Sequence, residues 1–157
     1  MIGGGCTWSS MAVISTVDNK ERDKIHDFLL GGQDMQRYGY APLDKIEIKP
    51  RQIWLDSDCY GVYTKRLGKK SALDEYAPFG NLENALRQAG FTFDIYEIAN
   101  DTQSSSHPVT YLVRNEKVLR RWREKPDQKS ITRSNKYTRF LKSAIRDHRK
   151  NKTSKAR

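Results

Sequence analysis

The sequence has no long apolar run and only two cysteines. No stretch approaches the roughly 18 to 20 consecutive apolar residues that a membrane-spanning helix requires. Cys6 and Cys59 belong to no CxxC or Cys/His cluster, which argues against a metal site and favours a reduced, cytoplasmic setting. A chain of 157 residues, of which 36% are hydrophobic and 31% charged, is long enough to bury a core without disulfide bonds or a structural metal. We therefore expect a soluble protein with one domain and no bound metal or cofactor.

Familiar catalytic and nucleotide-binding motifs are also missing. No GxxxxGK[ST] or GxGxxG loop occurs, which argues against a nucleotide-hydrolysing motor. His26, His107 and His148 are scattered along the chain, and none has HxxxH or HExxH spacing. The sequence therefore favours a binding protein over an enzyme.

Acidic residues are scarce in the last third of the chain. From Arg114 to Arg157 there are 17 Lys and Arg residues against four Asp and Glu residues. The preceding part, Met1 to Val113, carries 12 basic and 15 acidic residues and is mildly acidic. An asymmetry of this kind indicates a polyanionic partner, or docking of the basic part on the acidic body.

Helical spacing of apolar residues predicts two helices in the acidic body. Asp18, followed by Glu21 at the third position after it, forms a capping-box pattern ahead of the first helix, which Gly31-Gly32 ends. Asn81 is the predicted cap of the second helix, and Gly90 stands where a helix commonly ends in left-handed backbone. The apolar positions are Ile25, Phe28 and Leu29 in the first helix and Leu82, Ala85, Leu86 and Ala89 in the second.

Runs rich in β-branched and aromatic residues predict a small, mostly antiparallel sheet. Pro50 interrupts one of these runs, which is therefore an edge strand or two short strands. Asn115-Glu116-Lys117 separates the last two runs and predicts a β-hairpin. The predicted strands are 11–16, 46–48, 53–55, 60–64, 91–98, 109–114 and 118–123.

A third helix, capped by Thr132 or Ser134 and running to about Lys150, is predicted to carry much of the basic charge. Its apolar positions are Tyr137, Phe140, Leu141, Ala144 and Ile145, and its basic positions are Lys136, Arg139, Lys142, Arg146, Arg149 and Lys150. From Arg133 to the end the only acidic residue is Asp147, whereas charged solvent faces usually alternate in sign. The pattern therefore favours contact with phosphates over a merely solvated face.

The second strand of the hairpin adds Arg120, Arg121, Trp122 and Arg123 to the basic region. Because side chains alternate along a strand, Arg121 and Arg123 should share one face, and Arg120 and Trp122 the other. Trp122 can stack on a base or, more commonly for a large aromatic residue on a strand, belong to the core. Trp54, Tyr60 and Tyr63 are open to the same two interpretations.

The candidates for catalysis are two carboxylates and one histidine. Asp56 and Asp58 share one side of an extended segment, as a Mg²⁺ site needs, although turn chemistry explains Asp-Ser-Asp equally well. His107 lies in a polar loop, where it could serve a metal-free ribonuclease together with nearby Arg, Lys or Tyr.

These patterns predict one α+β domain over 11–150, with a small sheet packed against about three helices. Residues 1–10 are expected to form a flexible, glycine-rich leader and 151–157 a disordered basic tail. The predicted function is largely sequence-independent binding of DNA or RNA. The alternatives are a small nuclease or RNA-cleaving toxin that uses the same surface, and an adaptor whose basic helix enters an acidic protein groove. The sequence does not fix the oligomeric state.

Overall fold

Six strands and three helices make up the part of the chain that the computed structural model describes, which is 10–30, 45–57, 80–100, 109–124 and 130–156. The strands are β1 (Ser10–Ser15), β2 (Lys45–Lys49), β3 (Gln52–Ser57), β4 (Asp94–Asn100), β5 (Val109–Arg114) and β6 (Lys117–Arg123). The helices are α1 (Asn19–Leu30), α2 (Gly80–Gln88) and α3 (Ser130–Ala156). The prediction of a single α+β domain is confirmed. Within these ranges no helix is long and apolar enough to cross a membrane.

The strands form one antiparallel sheet in the order β2-β3-β1-β4-β5-β6. The first of the described strands lies inside the sheet, because β1 pairs with β3 on one side and β4 on the other. Val13 of β1 stands opposite both Trp54 and Tyr96, so these three side chains share one face.

Both faces of the sheet are covered by helices, which gives two apolar layers. The layer under α1 and α2 consists of Ala12, Ile14, Ile25, Leu29, Ile53, Leu55, Leu82, Leu86, Phe93 and Ile95. The layer under α3 consists of Met11, Val13, Trp54, Tyr96, Ile98, Leu112, Tyr137, Leu141, Ala144 and Ile145. Alternate residues of β1 enter opposite layers, which explains why this strand is apolar on both faces.

The cap predicted for α1 is confirmed, since the Glu21 N–H donates to Asp18 Oδ1 over 2.8 Å. The Glu21 carboxylate forms a long-range contact: its Oε2 accepts the Thr92 N–H at 2.8 Å. Glu21 therefore ties the first turn of α1 to the segment that leads into β4.

The end of α2 agrees with the prediction from the sequence, whereas its start does not. Gly90 has a φ of 92°. Its N–H donates to the Arg87 carbonyl and the next N–H, of Phe91, donates to the Leu86 carbonyl, which is a Schellman motif. The helix begins at Gly80, so Asn81 lies inside it and is not its cap. Helix starts commonly shift by one or two residues, because the first turn lacks internal hydrogen-bond acceptors for its N–H groups.

Two hairpins connect neighbouring strands, and the one between β5 and β6 was predicted from the sequence. Pro50 and Arg51 turn β2 into β3, which settles the choice in favour of two short strands. Asn115 and Glu116, with φ of 46° and 74°, form a two-residue turn between β5 and β6, so Lys117 belongs to the strand and not to the turn. The pairing register shifts between Leu112 and Val113, which marks a β-bulge.

Helix α3 is longer at both ends than predicted. It begins at Ser130, so neither Thr132 nor Ser134 is its cap, and it continues to Ala156 instead of ending near Lys150. The sequence contains no Gly or Pro between Ser130 and Ala156, and an existing helix propagates at little cost through such residues. The predicted disordered tail is therefore helical up to Ala156.

Several predictions concern residues outside the described ranges. They include most of the leader, which meets the fold at Ser10 of β1, and the predicted strand 60–64. The others are Cys6, Gly31-Gly32, Asp58, Cys59, Tyr60, Tyr63 and His107.

Candidate nucleic-acid interface

Helix α3 lies lengthwise on the sheet and is held at both ends. Near its start, the hydroxyl groups of Ser134 and Thr138 lie 3.9 and 3.8 Å from Met11 Sδ of β1. Near its other end, His148 Nε2 lies 3.2 Å from Arg114 Nη2 of β5. The helix therefore leaves β2 and β3 on one flank and β5 and β6 on the other.

The flank toward β2 and β3 contains a depression of about 510 Å³, which we call the basic groove. It is lined by Lys49, Gln52, Trp54, Lys142, Ile145, Arg146 and Arg149. The three basic residues from α3 follow one another at intervals of four and three, which places them along one side of the helix. No acidic side chain is found among the described residues that line this groove.

Trp54 forms part of the floor of the basic groove and belongs to the core. It is 6% exposed, and its indole N–H donates to Gln52 Oε1 over 2.9 Å. Lys49 Nζ lies over its ring, 4.5 Å from the centroid. The core interpretation of Trp54 therefore fits this geometry better than base stacking does.

The flank toward β5 and β6 contains a second depression of about 540 Å³, which we call the hairpin groove. Its lining includes the cations Arg114, Lys117 and Arg120 and the carboxylate Asp147. The Arg120 guanidinium lies 4.6 Å from the centroid of the Phe140 ring and 5.4 Å from that of the Trp122 ring. These cation–π contacts position Arg120 in the lining of the hairpin groove. Trp122 in turn packs edge to face on Phe140 at 5.0 Å, as the core interpretation requires.

The remaining arginines of β6 lie on the opposite face of the sheet. Arg120 stands opposite Leu112, which packs under α3, whereas Arg121 stands opposite Tyr111. Arg123 shares the face of Arg121, since it is two residues further along the strand. The predicted alternation of side chains along β6 is therefore correct. Because of it, Arg121 and Arg123 do not belong to the surface around α3.

The basic residues of α3 also differ among themselves. Lys136 Nζ lies 3.0 Å from Glu124 Oε2 and is only 21% exposed, so its charge is already paired. Arg139 and Lys150 are exposed, as are Lys142 and Arg146. The basic side chains of α3 that remain exposed therefore begin one turn after Lys136 and continue to Lys150.

A third depression, about 700 Å³ in volume, lies beyond the ends of β1 and β4, and we call it the end cavity. It is lined by Ser15, Thr16, Val17, Arg51, Thr92, Phe93, Asp94, Tyr96, His148 and Arg149. Arg149 also lines the basic groove, and His148 also lines the hairpin groove. The three depressions therefore follow one another around the C-terminal half of α3.

A polar cluster centred on Arg114 separates the end cavity from the hairpin groove. Arg114 Nη2 lies 3.3 Å from Asp94 Oδ1 and 3.2 Å from His148 Nε2. His148 Nε2 is 3.7 Å from Asp94 Oδ2, and its ring is edge to face with Tyr96, with centroids 6.3 Å apart. Asn115 Nδ2 donates to Asp94 Oδ1 at 2.8 Å. The cluster joins the last turns of α3 to the ends of β4 and β5.

The environment of Tyr96 stabilises its protonated form. Burial is the largest cause of its raised pKa, and the negative charge of Asp94 adds to it. The positive charge of Arg114 and its hydrogen bond to the hydroxyl act in the opposite direction without cancelling the effect. Tyr96 is therefore a phenol, not a phenolate, at neutral pH.

The catalytic candidates chosen from the sequence are not the residues that cluster. His107 and Asp58 are outside the described ranges, and Asp56 lies near the start of α3, away from His148. The described residues include no group of three or more Asp, Glu, His or Cys that could hold a metal ion.

The spacing of His148 along the helix, and not its residue type, indicates that it faces the sheet. This histidine lies four residues after Ala144 and seven after Leu141, so it continues the buried stripe of the helix. A polar residue on such a stripe needs a polar partner from the element below it.

Comparison of the chain with protein-family models, with curated proteins and with solved structures finds no match. The functional assignment therefore rests on the arrangement of the residues themselves.

Proposed function

We propose that this protein binds DNA or RNA largely without sequence preference, with the basic groove as its principal contact surface. The observation that supports this most directly is that Lys49 of β2 joins Lys142, Arg146 and Arg149 of α3 around one depression. Side chains at these helical spacings are about 5 to 6 Å apart, a distance that suits successive phosphate contacts. The apolar stripe of α3 docks on the sheet, so the fold determines where these cations stand.

Among the described residues, two of the positive charges of the groove are not engaged in ion pairs. Within the described part of the chain, Lys142 and Arg146 are exposed and form no ion pair. Their opposite-charge partners on binding would be phosphates, whose condensed counterions are released to solvent. The hairpin groove adds Arg114, Lys117 and Arg120 on the other flank, partly offset by Asp147.

The chemistry of the lining residues supports the lack of sequence preference. Lys and Arg side chains along a groove contact the phosphate backbone, which is the same for every sequence. Base stacking would require an accessible aromatic face, whereas Lys49 already covers the ring of Trp54.

The test is a binding titration of the full chain with labelled single-stranded DNA, single-stranded RNA and duplex DNA at several salt concentrations. If four phosphates are engaged on duplex DNA, log K should fall with log salt at a slope of about −3.6. Two unrelated sequences of equal length should bind within a few-fold of each other. Absence of binding, or affinity insensitive to salt, would contradict the proposal, and capture of an acidic protein after nuclease treatment would favour the adaptor.

A second candidate function is metal-independent cleavage of bound RNA. The observation that favours it is the contact of His148 with Arg114 beside Tyr96, which is the set of residue types that acid–base cleavage needs. His148 Nε2 is hydrogen-bonded to Arg114, so that bond must open before this nitrogen takes up a substrate proton. Incubation with RNA in EDTA separates the two functions, because cleavage that is lost in His148→Gln indicates the enzyme and intact RNA indicates the binding protein.

A further inference from the structure

We infer that the nucleic acid is duplex DNA and that α3 lies in its major groove, with the basic groove and the hairpin groove each facing one of the two backbones. The inference rests on the proposed function and makes it more specific, because the basic groove alone would serve any polyanionic strand. Three features support it: the positive charge of α3, the cations at both edges of the sheet, and the cover of the aromatic rings beside the helix.

The side of α3 that faces away from the sheet carries a row of basic residues, which we call the crest. Its members are Arg139, Lys142, Arg146 and Lys150. They follow one another at intervals of three, four and four residues, so they lie along one side of the helix, opposite the stripe that docks on the sheet. All four are exposed, and none forms an ion pair with another described residue. With a depression on each flank, the crest is a ridge of cations that stands above its surroundings.

The dimensions of this ridge fit the major groove of B-form DNA. An α-helix with its side chains is about 10 to 12 Å across. The major groove is about 12 Å wide and about 8.5 Å deep. From Arg139 to Lys150 the helix rises about 16 Å, which is about half of one DNA turn, so a straight helix can stay within the groove over this length.

Cations on both flanks of the crest stand where the two DNA backbones that border the groove would pass. Lys49 of β2 lines the basic groove, and Lys117 and Arg120 of β6 line the hairpin groove. Because β2 and β6 are the two edges of a six-stranded sheet, they are about 24 Å apart. This span exceeds the major-groove width of about 12 Å, so the cations of each edge can meet a different backbone.

The aromatic rings beside the crest favour a duplex over a single strand. Single strands are commonly bound by stacking of their bases on accessible aromatic faces. Lys49 lies over the ring of Trp54. Arg120 lies over the rings of Trp122 and Phe140. Among the described residues, the rings beside the two grooves are therefore already covered by cations.

The shape of the grooves favours DNA over RNA. The major groove of an A-form RNA duplex is deep and too narrow for side chains to read, and its minor groove is wide and shallow. A helix therefore cannot enter either groove far enough for the sheet on both sides to approach the backbones. B-form DNA suits the crest and its two flanks better than duplex RNA does.

Asp147 provides a test for the second backbone, because it is the one acidic side chain among the described residues that line the hairpin groove. It is exposed, so a backbone on this flank would be repelled by it. Asp147→Asn should then tighten binding of duplex DNA about threefold. Asp27→Asn is the matched control, since Asp27 is an exposed carboxylate of α1, on the opposite face of the sheet, and its removal should leave the affinity nearly unchanged.

The main experiment is fluorescence anisotropy of the full chain with three labelled duplexes of about 20 base pairs, which is two DNA turns. The probes are a DNA duplex, the RNA duplex of the same sequence, and the same DNA with glucosylated 5-hydroxymethylcytosine, whose sugar fills the major groove. All three carry the same backbone charge. Unmodified DNA should bind about tenfold more tightly than either of the others, because neither of them admits α3.

The outcomes separate this inference from the proposed function. Equal affinity of unmodified DNA and either of the other duplexes would overturn the inference, because the contact would then not depend on an open B-form major groove. Equal effects of Asp147→Asn and Asp27→Asn would also overturn it, since no backbone would pass the hairpin groove. Both results would leave binding by the basic groove in place. Absence of binding to all three duplexes would contradict the proposed function and the inference together.

Discussion

Lys136 and Glu124 form an ion pair with 3.0 Å between Nζ and Oε2, and the side chain of Glu124 is completely buried. The other carboxylate oxygen, Oε1, accepts hydrogen bonds from Trp122 Nε1 at 2.9 Å and from the Tyr137 hydroxyl at 3.0 Å. One carboxylate thus joins the end of β6 to the first half of α3. A buried charge is tolerated only when it is paired and hydrogen-bonded in this way.

Replacing Glu124 by Ala should lower the free energy of unfolding by about 3–5 kcal/mol, because Lys136 and two other donors lose their shared acceptor. Urea denaturation followed by circular dichroism measures the change. Asp147→Asn, at an exposed position of the same helix, is the control and should change stability by about 0.5 kcal/mol or less. Equal stability of the two variants would show that the Glu124 contacts do not support the fold.

Lys136 and Arg146 should differ in their effect on nucleic-acid affinity, although the sequence presents them as members of one stripe. Arg146→Gln removes a charge that lines the basic groove, so it should weaken binding to duplex DNA and reduce the salt slope by about 0.9. Lys136→Gln removes a charge that Glu124 already balances, so the slope should stay the same. Fluorescence anisotropy at several salt concentrations gives both slopes, and equal losses would contradict the assignment of the groove.

The two faces of the sheet provide a second comparison. The double variant Lys142→Gln/Arg146→Gln should reduce the salt slope by about 1.8, whereas Arg121→Gln/Arg123→Gln should leave it nearly unchanged. Each pair removes two exposed positive charges, so a nonspecific effect of net charge would affect both alike. An equal fall of the salt slope in the two variants would contradict the assignment of the nucleic acid to the face that carries α3.

Gly90→Ala should destabilise the protein by about 1–2 kcal/mol through backbone strain alone. The φ of Gly90 is 92°, and a Cβ atom at this position would meet nothing within 4 Å, so no steric clash contributes. Thermal or urea unfolding measures the difference. Gln88→Ala, in the last turn of the same helix, is the control and should be nearly neutral, since its side chain is exposed and its backbone is helical.

Local patterns predicted much of the fold, because caps, stripes and turns depend on residues close together in the chain. Gly90 and the Asn115 turn are examples, since each needs backbone with positive φ at one place. The position of β1 between β3 and β4 could not be predicted in this way, because it depends on pairings with distant segments.

The candidate site shows the same limit. The sequence places Lys136 and Arg146 on one helix, but only the packing of α3 against β6 shows that the first meets Glu124. His148 likewise has no chemical neighbour in the sequence, and its contact with Arg114 arises because α3 crosses the end of β5. Predicting such contacts requires the docking direction of the helix.

Tyr96 should make the protein less stable in alkali. Its pKa is raised in the folded state, mainly by burial and then by Asp94, so the unfolded chain loses the phenolic proton at a lower pH than the folded protein does. Fewer protons are then bound in the unfolded state, and the free energy of unfolding falls as pH rises above the ordinary tyrosine value of about 10. Below that pH both states keep the proton and the contribution is constant.

Tyr96→Phe isolates this effect, since it removes the titrating hydroxyl and keeps the buried ring. Urea midpoints measured between about pH 8 and pH 11 should fall more steeply for the unmodified protein than for the variant. The loss of the hydrogen bond from Arg114 shifts the variant by a constant amount, so the test is the difference in slope and not the offset. Other tyrosines and lysines titrate in both proteins and cancel in that difference. Parallel curves would mean that Tyr96 ionises equally in the folded and unfolded states, which would contradict the raised pKa.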